Sequence, residues 1–291
     1  MRPLLRPGTH VLQRGDGRLQ LGLDPASAVI LPDEPEVREL LAGLDGSTRD
    51  DDLPLLTVLR EQSLVLDEHD VLPLLNASNR CPAPAAAALA RQRGAAAGPA
   101  ADRRAATRLE VRGFGGDELA DQVVALAGRL GLRAGAPSRK RASGDDAVVG
   151  VLAGIGEPDR ELADPWVRES TPYVVVRMCE GHAVVGPFVA PGRTSCLRCI
   201  DAHHTDADPA WPLLVQQYSR LSSRPRRDGV PEPVDPVLAT LAAAWAVRDL
   251  ASYVDGVRPS TWSTTLVLDA ELAEVESRCW LRHPECGCGW A

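Results

Sequence analysis

The sequence predicts an α/β protein in two parts, a small α+β module followed by a larger domain in which strands and helices alternate. Three observations predict this. A strand pattern beginning at Arg108 runs into the glycine turn Gly113-x-Gly115-Gly116 and then into an amphipathic helix. Apolar strand runs and helical runs continue to alternate beyond it, as an α/β sheet requires. Two close cysteine pairs, Cys196-x-x-Cys199 and Cys286-x-Cys288, bracket the last third of the chain.

The first module covers residues 1–75. Short strand signals occur at Val11 to Gln13, Leu19 to Leu21 and Ala28 to Leu31, and Gly15-Asp16-Gly17 supplies the first hairpin turn. Val37, Leu40, Leu41 and Leu44 then recur at helical spacing and stop at Asp45-Gly46. A second helical run begins near Leu55, after the acidic stretch Asp50-Asp51-Asp52, and leads into Ser63-Leu64-Val65-Leu66. Three strands followed by helices is the order of a winged-helix-like module. Residues 76–107 change composition to alanine, proline and glycine and read as an interdomain connection with one short helix, about Ala85 to Arg93.

The second domain, 108–291, opens with the strand and glycine turn, followed by a helix from Glu118 to Leu130 with Leu119, Val123, Leu126 and Leu130 on one face. A buried strand follows at Ala147 to Leu152. Tyr173 to Arg177 and Ala183 to Val189 flank Glu180-Gly181 as a hairpin. The first cysteine pair, a helical stretch from Pro209 to Leu221, a Pro/Arg loop, an Ala-rich helix from Pro236 to Asp255 and strands near Thr264 to Leu268 and Ala273 to Arg278 complete the order.

Two thiolate pairs supply the four sulfur ligands of a closed tetrahedral site of the kind zinc prefers. The expected ligands are Cys196, Cys199, Cys286 and Cys288, which would tie the last residues to the middle of the domain as a staple. The alternatives are four free buried thiols, or one of His203, His204 and His283 in place of a thiolate. The glycine turn stands where backbone N–H groups can meet a phosphate, so Gly113, Gly115 and Gly116 are a residual nucleotide site. Asp117 and Glu118 place negative charge at the helix start, where that phosphate would sit.

Composition bounds the rest. A formal charge of -8 speaks against a nucleic-acid surface, and Arg224, Arg226 and Arg227 read as solvated loop charges. Seven cysteines and no signal-like apolar start predict a reducing, cytoplasmic setting. The most apolar run, Val237 through Val247, is shorter than the roughly 20 residues of a membrane span, so no membrane role is expected.

The glycine turn, the hairpin ending in Pro187-Phe188-Val189-x-Pro191-Gly192, the cysteine pairs and the Ala-rich helix together resemble the ThiF/MoeB fold related to ubiquitin-activating enzymes. The resemblance covers about Arg108 to Ala291 and implies a shortened Rossmann-like sheet with a zinc-stapled C-terminus. With the module in front, the chain is similar to the ThiF-like partners of YcaO cyclodehydratases in thiazole/oxazole-modified peptide biosynthesis, whose front domain is a PqqD-like leader-peptide clamp. That resemblance implies a peptide-binding strand at Ala28, Val29, Ile30 and Leu31, and a homodimer. Active ThiF-type enzymes carry a phosphate-binding lysine, an arginine-bearing loop and an Asp-Asn after the second central strand. Here Lys140 is the only lysine, Leu152-Ala153-Gly154 replaces the metal-binding acid, and no cysteine lies between Cys199 and Cys279. Cys81, Cys179 and Cys279 read as inert. The expected function is therefore a non-catalytic adaptor that brings a precursor peptide or partner protein to a peptide-modifying enzyme, with zinc as structural cofactor and without ATP. The alternative is an ATP-dependent ThiF-type adenylyltransferase.

Overall fold

The computed structural model describes residues 2–23, 27–47, 54–76, 82–135, 147–224 and 228–288. Asp50 to Asp52, Cys81, Lys140, Arg226 and Arg227 lie outside them. The chain divides into two compact units, Met1–Asp102 and Arg103–Ala291.

In the first unit, β1 (Pro3–Leu5) is followed by β2 (Val11–Gln13), β3 (Arg18–Leu21) and β4 (Val29–Pro32), then α1 (Pro35–Ala42), α2 (Pro54–Glu61), β5 (Val65–Asp67), α3 (Glu68–Asn76), α4 (Ala83–Arg93) and α5 (Ala97–Ala106). β2, β3 and β4 form an antiparallel sheet in that order, and β1 pairs with β5. The β1–β5 pair has no sequence signal of its own, because two three-residue strands are too short to show periodicity. Leu19, Leu21 and Leu31 of the sheet pack on Val37, Leu41, Leu56 and Leu59, the apolar stripes of α1 and α2.

The region whose composition reads as a connection is helical over most of its described length. Ala86, Leu89 and Ala90 of α4 and Ala97, Ala100 and Ala101 of α5 are buried with Val71 and Leu74 of α3. Alanine is the strongest helix former and lets helices approach closely, so a stretch whose one large buried apolar residue is Leu89 still makes a core.

The second unit runs β6 (Thr107–Phe114), α6 (Glu118–Arg129), β7 (Arg133–Gly135), β8 (Ala147–Ile155), α7 (Asp164–Arg168), β9 (Tyr173–Cys179), β10 (His182–Val189), α8 (Leu197–Ala207), α9 (Trp211–Ser222), α10 (Pro236–Val254), β11 (Thr264–Leu268) and β12 (Val275–Cys279). Its seven-stranded sheet has the order β12-β11-β10-β9-β8-β6-β7. β7, β6, β8 and β9 are parallel, and β10, β11 and β12 extend them antiparallel. Both faces are covered, which explains the unbroken apolar runs of β8 and β9. Val149, Val151, Ala153, Val174 and Val176 meet α6 and α10 on one face; Leu152, Tyr173 and Val175 meet Trp166 and the cysteines on the other.

The 19 residues of α10 exceed the run read from sequence and are long and apolar enough to cross a membrane by length and composition. Leu238, Ala242, Ala246 and Leu250 spend that apolarity on the sheet. Asp235 caps the helix by accepting from the N–H groups of Val237 and Leu238. Asp249, 2% exposed, accepts from the backbone N–H and hydroxyl of both Ser260 and Thr261, which sets the entry to β11.

A buried ion network fixes the loop after β8 to α8. Arg160 donates to Glu157 and, through two nitrogens, to Asp201 at 2.7 and 2.8 Å, and Arg177 joins Glu157 at 2.8 Å. Burial raises the Asp201 carboxyl, but the hydrogen bond and charge of Arg160 outweigh it and hold the group below the usual carboxylate range. A depressed carboxylate stabilises the fold above its unfolded pKa, and that contribution is lost as pH falls through the folded value. Arg160→Ala should therefore cost about 3 kcal/mol near neutrality, as removal of one partner from a buried pair does. Denaturant titrations of both proteins should show the gap holding above about pH 4 and closing below it.

Candidate functional site

The four cysteines of the two pairs meet. Their sulfurs all lie within 4.8 Å of one another, with Cys196 to Cys199 at 3.8 Å, Cys196 to Cys286 at 3.5 Å and Cys199 to Cys288 at 3.4 Å. These are neither disulfides, whose sulfurs lie about 2.05 Å apart, nor ordinary packing of scattered thiols. A tetrahedron of sulfurs bonded at about 2.3 Å has edges of about 3.8 Å, so the spacing suits a divalent cation at the centre. Cys196 is the N-cap residue of α8 and Cys199 lies in its first turn, which aims both side chains at one point. Between the other two, Gly287 has φ +74°, a conformation that favours glycine and reverses the chain so that both neighbours face the cluster.

Contact among the thiols splits their acidities. Hydrogen bonding to Cys196 pulls the thiols of Cys199 and Cys286 down, whereas Cys196 is raised by the same contacts and burial raises Cys288. Four adjacent sulfurs do not all ionise unaided; a bound cation offsets the repulsion and releases the protons.

None of the three neighbouring histidines joins the cluster. Nε2 of His203 faces the carbonyl of Leu281 at 2.9 Å, Nε2 of His283 faces Asp206 at 3.0 Å, and His204 stacks on Trp211 with ring centroids 4.2 Å apart. The N–H of Glu285 donates to Nδ1 of His283, and the N–H of Cys286 to the His283 carbonyl. His203 and Asp206 on α8 thus grip the segment that carries the second pair. Asp206 escaped the sequence reading; its spacing of three residues from His203, on one face of a helix, was the available signal.

The glycine turn lies at the C-terminal end of β6, and packing accounts for Gly115. A Cβ on Gly115, at φ +66°, would come within 2.3 Å of the Ile155 carbonyl oxygen, and one on Gly154 within 1.9 Å of the Phe114 carbonyl oxygen. β6 and β8 therefore close on each other there, with Gly154 inside β8. A Cβ on Gly113 would lie 2.9 Å from Oδ1 of Asp117, so that carboxylate occupies the mouth of the turn, and it makes no side-chain capping bond to α6. Cys179, at the end of β9, is half-buried and 3.5 Å from the Tyr218 hydroxyl, and Cys279 on β12 is exposed.

In the first unit the strand read as Ala28 to Leu31 is β4, Val29–Pro32, with Ala28 just before it. Among the described residues β4 pairs only with β3, so its other edge is open. The N–H of Asp33 donates to Gly17 in the register that pairs Leu31 with Leu19 and Val29 with Leu21. By alternation the main-chain groups of Ile30 point to the open edge. The Ile30 side chain is 45% exposed, whereas Leu31 is 7% exposed and belongs to the core. Pro32 has no N–H, which suits an edge strand.

No family model matches the sequence and no curated relative does. Solved structures match in fold. A heterocyclase solved in complex with substrate and cofactor aligns at TM-score 0.69 with 16% identity over 99% of this chain, and the heterocyclase TruD at 0.69 with 14% over 99%. MccB of E. coli, in a structure with succinimide, aligns at 0.63 with 13% identity over 99% of both chains. The fold is ThiF/MoeB-like. The chain spans 39% and 43% of the two heterocyclases, but nearly all of MccB.

Chelation of the cation, or Cys288→Ser, should lower Tm by about 10 °C in a thermal scan, since the cluster joins segments that nothing else bonds covalently. Acidification to about pH 5 should release metal to a colorimetric chelator, because protons compete for the thiolates.

Proposed function

We propose that this chain is a non-catalytic adaptor that presents a peptide to a peptide-modifying enzyme of the YcaO cyclodehydratase type. The carrying observation is the open edge of β4, with the main chain and side chain of Ile30 turned outward. Strand addition there gives main-chain hydrogen bonds for affinity and leaves Ile30 to read the incoming side chains. Residues 1–75 serve as a winged-helix-like, PqqD-like clamp, and the ThiF-like domain is a scaffold stapled by zinc on Cys196, Cys199, Cys286 and Cys288. Zinc is the choice because four thiolates at tetrahedral spacing form a closed structural site. The scaffold acts as a homodimer in the cytoplasm, where reducing conditions keep the thiols free for metal.

Support comes from the fold neighbours, which include heterocyclases and an MccB structure containing the MccA peptide. Another MccB structure contains ATP, which keeps the adenylyltransferase as the second reading. Against it stand the crowded turn at Gly113, Gly115 and Gly116, with Asp117 at its mouth, and the absence from the sequence of the acid that would hold magnesium.

Elemental analysis should return about one zinc per chain. The leader segment of a precursor peptide for a YcaO-type enzyme should bind the zinc-loaded chain, and Ile30→Asp should weaken it at least about tenfold, equivalent to 1.4 kcal/mol. Isothermal titration with ATP and magnesium should show no saturable heat; saturable heat would restore the adenylyltransferase reading, and unchanged affinity of Ile30→Asp would remove the clamp.

A further inference from the structure

A cavity of ≈ 920 Å³ opens in the second unit at the end of the sheet opposite the glycine turn. It is bounded by the first residues of β6 and β8, Thr107 and Ala147 to Val149, by Pro172 ahead of β9 and by the end of α10. Three arginines line it, Arg103, Arg193 and Arg258, and among the described residues no carboxylate does. In a chain of formal charge -8, such a gathering of unbalanced cations is not what random surface composition produces.

The arginines have different tasks. Arg103 donates to the carbonyls of Val254 and Asp255, and so covers the negative end of α10 that would otherwise repel an anion. The Asp255 carboxylate is taken by Arg104 at 2.7 and 2.9 Å. Arg193 and Arg258 are exposed, and their guanidinium groups have no ion pair or hydrogen-bond partner among the described residues. Their guanidinium carbons lie 5.2 and 5.9 Å from the centroid of one ring, Trp262. That ring is held in place by Phe188 and Tyr253, with centroids 6.0 and 6.5 Å away.

We propose that this cavity binds an acidic stretch of peptide, with carboxylates on Arg193 and Arg258 and an intervening apolar side chain against Trp262, Val254 and Val257. A guanidinium resting by an aromatic face keeps its N–H edge free for a carboxylate. The walls favour a peptide over a compact phosphate, because the cations flank an apolar ring. The site shares with the adaptor reading only the premise that a peptide is the ligand, and it lies in the other unit from β4.

The test is fluorescence anisotropy of a labelled peptide of alternating glutamate and valine with the full, zinc-loaded chain at low salt. Binding should fall at least tenfold in the double variant Arg193→Glu, Arg258→Glu, and by less in Arg193→Lys. Both arginines are exposed, so the fold should survive, and an unchanged thermal midpoint checks this. The proposal is overturned if the charge reversals leave affinity unaltered, if a lysine–valine peptide binds equally well, or if tripolyphosphate binds more tightly than the peptide and displaces it, which marks a polyanion site instead. Loss of glutamate–valine binding alongside retained leader binding at β4 would sink this site and leave the adaptor reading intact. The reverse pattern would do the opposite.

Discussion

The meeting of four sulfurs between the start of α8 and the last described residues is the constraint on which the second unit depends. Cys196 and Cys286 are 90 residues apart in sequence, and holding a loop of that length closed carries a large entropic cost. A cation shared by the four thiolates would offset it at a single point. Around that point the structure adds weaker ties, the His203 and Asp206 grips from α8, the Arg282 bond to the Gly192 carbonyl and the burial of Trp280. Each of these orders a segment that has little apolar surface of its own. The staple also sets the position of α8, and with it the Asp201 end of the Arg160 network.

The sheet provides the opposite kind of order, distributed rather than local. Because α6 and α10 cover one face and α7, α8 and the cysteines the other, neither face of β8 or β9 meets solvent. This demands close approach at the strand ends, and Gly115 and Gly154 supply it by lacking side chains. Gly115 is also one of the three glycines of a motif that resembles a phosphate turn. A glycine-rich strand end therefore has two physical causes that look alike in sequence, backbone approach to a ligand and backbone approach to a neighbouring strand. Here the distances to the Ile155 and Phe114 carbonyls favour the second.

The surfaces left for partners are sparse and chemically unlike. β4 offers unpaired main-chain groups and one outward isoleucine, a pattern suited to extended chain of many sequences. The cavity beside Trp262 offers fixed cations, which select by charge.

The cysteine ligands, the strand–turn–helix at Gly113 and the alternation of the α/β domain were legible in the sequence, because each is a local pattern of residue type and spacing. The unbroken apolar runs of β8 and β9 and the 3.6-residue stripe of α6 could likewise be read without coordinates. What only the tertiary structure decided depends on contacts between distant residues. The pairing of β1 with β5, the alanine-rich packing of α4 and α5, the engagement of the histidines with Leu281 and Asp206 and the crowding at Gly115 have no local signature. Nor does the gathering of Arg103, Arg193 and Arg258 in one cavity, since residues 155 apart along the chain become neighbours only when the sheet brings the starts of β6 and β8 and the end of α10 together.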